Sequence, residues 1–139
     1  MSTVSLIHRI LGETLLVIAL AGVLLAIVGL LRKREMHRTE RIFGLAYGGL
    51  LDLQALLGLA EFIWLLTLPG GGGLVTSTFI LHPILMVSAI AIVHASRSRR
   101  EGQPPTRHRA QLIAYGLSLA LILGGYLIAR FWSSSLAVP

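Results

Sequence analysis

Long apolar runs alternate with short polar segments along this chain, and that alternation sets the expected fold. The apolar runs cover about residues 6–31, 42–68, 76–95 and 110–132. Each matches the roughly 20 residues a helix needs to cross a hydrocarbon core of about 30 Å. The pattern predicts an all-α membrane protein: a single domain, residues 1–139, folded as an antiparallel up-and-down bundle of four transmembrane helices.

Within the first run the side chains divide by size. Read at helical spacing, one edge carries His8, Gly12, Leu15, Ala19, Gly22, Ala26 and Gly29, and the opposite edge Leu16, Leu20, Val23, Ile27 and Leu30. Helices in lipid use small residues where another group comes close. The small edge is therefore expected to face the bundle and to receive something flat. The second run carries Gly44-x-x-x-Gly48 and Gly58, and Pro69 with Gly70 to Gly73 ends it in a turn. Thr76, Ser77 or Thr78 is expected to cap the third helix, with Pro83 marking its start or a kink.

Composition agrees with the membrane reading: 55% hydrophobic, 13% charged, mean hydropathy +0.80. The charges add orientation. Ten of the twelve Lys and Arg residues lie in Arg32–Arg41 and Arg97–Arg109. Basic clusters mark cytoplasmic loops, which predicts a bundle with both termini outside. The block Arg32-Lys33-Arg34 follows the first run instead of preceding it, as expected of an uncleaved helix rather than a signal peptide. With no soluble basic domain, the net charge of +6 points to anionic lipid headgroups and not to nucleic acid. Cysteine is absent, which excludes disulfides, thiolate metal sites and covalently attached c-type haem.

Histidine and carboxylate remain as strong ligands. His8 opens the first span and His82 the third, and both spans run inward from the outer face, so the two imidazoles are expected at matching depth on diagonal helices. That arrangement suits one haem b with His8 and His82 as axial ligands of the iron. Gly12 would lie below it, Arg9 and Arg130 would meet its propionates, and Tyr126 would add a polar contact. Glu61 or Glu13 would pair with Arg130 or hold a histidine N–H. Other readings of the same residues are interfacial side chains, a structural ion-pair layer, or a divalent metal held by histidine and carboxylate. His94 and His108, beside Arg97 and Arg109, are expected to be solvated rather than to hold a second haem, and His37 has no assigned role. Asp52 and Gln54, expected near mid-membrane, suggest an interhelical hydrogen bond, a proton path or a quinone pocket.

His8-Arg9, the segment Gln54-Ala55-Leu56-Leu57-Gly58 and His82 together resemble one half of the haem A synthase family, whose members look like two fused four-helix units. The resemblance covers the first three spans and implies haem held by paired histidines on the outer side. Where that family carries a glutamate shortly before the first histidine, this chain has Val4 and Ser5. The expected function is a b-type cytochrome relaying electrons near the outer face of a prokaryotic plasma or inner membrane. Its expected partners are lipids, other membrane subunits or a second copy, and a quinone or soluble electron carrier. The alternatives are a cofactor-free accessory subunit of a respiratory or photosynthetic complex, and a haem A synthase-like half-unit acting as an enzyme.

Overall fold

The computed structural model describes residues 3–68, 77–98 and 104–135. They form four helices: α1 (Thr3–Leu31), α2 (Arg38–Thr67), α3 (Ser77–Ser98) and α4 (Pro104–Ser135). The expected glycine turn after Pro69, the Thr76 cap, the side chains of Ser77 and Thr78 and the Trp132 side chain lie outside the described residues. The protein is all-α, and three of its helices, α1, α2 and α4, are long and apolar enough to cross a membrane. The apolar part of α3, Ile80–Ser96, is shorter, although the whole of α3 is 22 residues and so about 33 Å long.

The helices outrun the apolar runs that revealed them. α2 starts four residues before Ile42, and α4 starts six residues before Ala110 with two prolines in its first turn. Hydropathy marks where lipid lies, whereas a helix continues as long as its backbone can hydrogen-bond. Proline at a helix start removes only an N–H that would lack an intrahelical partner anyway. Pro83, by contrast, sits inside α3, which begins six residues before it. It neither starts nor ends the helix, and its cost is the bond that its missing N–H would give the Phe79 carbonyl.

Neighbouring helices are antiparallel. Ser5 and Gly12 of α1 meet Glu61 and Gln54 of α2, Gly22 and Gly29 meet Tyr115 and His108 of α4, and His82 of α3 meets Gly125 of α4. α4 packs extensively on both α1 and α3, whereas α2 leans on α1 and only lightly on α3. α1 and α3 are thus diagonal, as are α2 and α4. The core combines Leu15, Ala19 and Ala26 with Tyr47 and Leu51, Ala89 and Val93, and Ala114, Tyr115 and Ile122. Apolar side chains such as Val17, Leu24, Leu56, Val87 and Leu123 face outward, as lipid contact requires.

The small edge of α1 does face inward, and Leu15, Ala19, Gly22, Ala26 and Gly29 are all buried. What fills its lower part is flat and comes from a neighbouring helix. The Tyr115 ring lies over Gly22, where a Cβ would stand 3.0 Å from it, and the His108 ring lies against Gly29 more tightly still. Gly12 meets the Gln54 amide, 3.1 Å from its Cβ position. Side chains of α4 and α2 therefore occupy the slot below His8. In mid-core, Ser118 donates to the Tyr115 carbonyl (3.1 Å), which leaves Tyr47 OH to donate to Ser118 Oγ (2.8 Å).

The basic end is tied by side chains. Arg34 makes a two-pronged bond to Glu40 (2.9 Å each), whose carboxylate also accepts the His37 backbone N–H (2.8 Å). His108 Nε2–H donates to the Arg34 carbonyl at 3.0 Å. His108 is fully buried, not solvated. A core contact that lets the ring close over a glycine outweighs the pull of the neighbouring arginines toward water.

Candidate functional site

At the end remote from the basic segments, α1 and α3 each present one imidazole to the interior. The His8 and His82 rings are half-buried, their centres 6.3 Å apart and their planes inclined at 71°. Equal depth follows from the topology, since both residues lie within two turns of the start of helices that run in the same direction.

Each ring rests against a glycine of a flanking helix. A Cβ on Gly58 of α2 would come within 2.9 Å of His8 Cε1. One on Gly125 of α4 would reach 3.2 Å from His82 Nδ1 and collide with the end of Met86. With no Cβ there, the Gly125 carbonyl accepts the His82 Nδ1–H bond at 2.9 Å. That bond fixes the tautomer and leaves the His82 Nε2 lone pair for a ligand.

Gln54 organises the other ring. Its amide nitrogen donates to the His8 carbonyl (2.9 Å) and lies 3.3 Å from His8 Nε2. Two buried atoms at this spot, His8 Nδ1 and Gln54 Oε1, have no hydrogen-bond partner among the described residues. Buried polar atoms left unpaired are costly, and they recur where something further is meant to bind. One turn outward, Glu61 accepts the Ser5 hydroxyl and lies close enough to act electrostatically on His8, as does His82.

The polar residues at this level therefore divide. His8, His82, Gln54, Glu61 and Ser5 line the interior, with Gly12 below. Arg9 and Glu13 are exposed, so Glu13 does not join the interior layer. Arg130 is also exposed and donates to Tyr126 OH (3.2 Å), an (i, i+4) pair along α4, while Glu61 is engaged by Ser5. Sequence reading missed Ser5 and Gly125, whereas the interhelical hydrogen bond expected of Gln54 is formed, to the His8 carbonyl. The adjacent Gly124 and Gly125 in an apolar span were the available signal for a close approach on α4.

His94 and His108 do not form a second pair, for each has its own partner. His94 Nε2–H donates to Asp52 Oδ1 at 2.9 Å on the outer face of the α2–α3 seam, both side chains well exposed. No group of three or more His, Asp or Glu residues able to hold a metal ion occurs among the described residues, so the histidine–carboxylate metal cluster is not formed there. Two imidazoles alone suit a metal that brings its remaining ligands with it. Two metal–imidazole bonds of about 2 Å, plus the reach from each donor nitrogen to its ring centre, come to roughly 6 Å. The observed separation is of that size. Comparison with family models, curated proteins and solved structures finds no match, so the argument for function rests on this geometry.

Proposed function

We propose that the protein is a membrane b-type cytochrome, an electron carrier holding one haem b between His8 and His82 near the non-cytoplasmic face of a prokaryotic plasma membrane. The observation that carries this reading is the facing pair of imidazoles, 6.3 Å apart on diagonal helices, with His82 Nδ1 tied to a backbone carbonyl. The unpartnered atoms of His8 and Gln54 beside the pair support it. When bound, the haem supplies reversible one-electron chemistry, and two axial histidines favour electron transfer over oxygen binding.

The remaining tasks fall to the chain. Gly125 and Gln54 orient the two rings, and Gly58 lets α2 lie flush against His8. Glu61, held by the Ser5 hydroxyl, adds a polar group near the His8 ring. Arg9 and Arg130, exposed at the same end, are the cations that propionates would meet.

Optical spectra of protein purified from haem-sufficient cells test the reading. The expected result is a Soret band, a sharp α-band on reduction and one extractable haem per chain. His8→Ala and His82→Ala should each abolish the low-spin spectrum, while His94→Ala should keep it. A colourless protein that takes up no haem on reconstitution would reject the cytochrome and leave a cofactor-free accessory subunit.

A further inference from the structure

Gln54 is buried in α2, and its amide meets His8 of α1 at two atoms. The amide nitrogen lies 2.9 Å from the His8 carbonyl oxygen and 3.3 Å from His8 Nε2. A carbonyl oxygen only accepts, so the amide must turn its nitrogen toward it, and the orientation of the group is thereby settled. That nitrogen carries two hydrogens and accepts none. One hydrogen goes to the carbonyl, and the other is left for the ring. A proton on His8 Nε2 would meet it hydrogen to hydrogen, whereas a bare Nε2 accepts it. The contact therefore places the His8 proton on Nδ1, even though that buried atom has no partner among the described residues.

We propose that Gln54 is the positioning residue that sets this tautomer and so keeps Nε2 bare as the ligating atom of His8, an inference that rests on His8 serving as an axial ligand. Two observations support it. The first is the room kept on both sides of the contact. A Cβ on Gly12 would stand 3.1 Å from the amide nitrogen, and one on Gly58, a turn beyond Gln54, would stand 2.9 Å from the ring. The second is that His82 reaches the same form by the opposite device. The Gly125 carbonyl accepts from His82 Nδ1, whereas Gln54 donates to His8 Nε2, and each arrangement leaves the proton on Nδ1. Both rings thus offer the same nitrogen. The bond on His8 Nε2 is long and joins neutral groups, so a metal can displace it, while the second hydrogen keeps Gln54 on the backbone of α1.

The test reads the ring nitrogens directly, by nitrogen NMR of the cofactor-free full chain in nanodiscs with 15N-labelled histidine. The pH is kept well above the ordinary histidine value of about 6.5, so that the rings are neutral. His8→Ala identifies the His8 signals. Wild type should carry the His8 proton on Nδ1. Gln54→Leu should lose that preference, and Gln54→Glu, which sets an acceptor in place of the donor, should move the proton to Nε2. The His82 signals and the helical circular dichroism should stay unchanged in both variants. On titration with haem, Gln54→Glu should raise the apparent Kd about ten-fold or more, because the ligating nitrogen is then protonated and engaged. A wild-type proton on Nε2, or the wild-type pattern in both variants, would overturn the proposal even where haem binds. A chain that shows the expected tautomers and takes up no haem would instead reject the cytochrome and leave the hold of Gln54 on His8 in place.

Discussion

At the scale of single residues, the small edge of α1 works as a set of sockets. Gly29 receives His108 and Gly22 receives Tyr115, so the identity of each glycine is fixed by a ring on another helix. Gly29→Ala should therefore cost about 1–3 kcal/mol through overpacking, because the fully buried His108 has nowhere to retreat. Gly116→Ala, with open space at the same atom, should stay within about 0.5 kcal/mol of wild type. Thermal unfolding of both variants in detergent compares them. The sequence revealed which edge of α1 faces inward, because size and spacing are local properties. It did not reveal what fills the sockets, because Tyr115 and His108 come from α4 and their reach depends on how that helix is rotated. For the same reason His8 and His82 were legible as a pair and Gln54 as one side of an interhelical hydrogen bond, whereas Gly125 and the partner of Gln54 were not.

At the scale of elements, the connection between α1 and α2 shows how a charged residue earns a buried position. Glu40 stands on the first turn of α2, ahead of the apolar span, and is buried. Burial alone would raise its carboxyl. The Arg34 guanidinium and the His37 N–H outweigh that, aided by His108, and hold it below its ordinary 4.5. The folded state thus favours the ionised form. The stability this contributes is complete above the ordinary value and is lost as pH falls through the lowered one. Glu40→Gln should cost about 2 kcal/mol near neutral pH. Between about pH 7 and about pH 3 the unfolding midpoint of the wild type should fall further than that of the variant. Hydropathy announced the apolar spans but not this clamp, since Arg34 and Glu40 read as members of one basic loop. Of the two readings of Pro83, the helix start is excluded, because a membrane helix tolerates a proline that would end many soluble ones.

For the whole molecule, the antiparallel order sends α1 and α3 in one direction and α2 and α4 in the other. From the basic clusters, the Glu40 end is expected to face the cytoplasm. The absence of native cysteine makes this directly measurable. A membrane-impermeant maleimide applied to intact cells should label Leu68→Cys, while Glu35→Cys should react only after permeabilisation. The reverse pattern would invert the molecule and move the histidine pair to the cytoplasmic face. Bundle order and the shared depth of the two histidines were legible because both follow from span count and direction. The solvation expected of His94 agrees with its exposure, whereas its pairing with Asp52 was not legible, since that depends on how α2 and α3 meet.

The central part played by α4 has a consequence for biosynthesis. This helix supplies the rings that plug α1, the hydroxyl that joins Tyr47 and the carbonyl that orients His82. Helices enter the bilayer in chain order, so the first three must wait there with open glycine sockets until α4 leaves the ribosome. Packing of α1 is thus complete only once α4 has docked, and a chain ending before Pro104 is expected to be cleared faster than the full chain in a pulse-chase measurement.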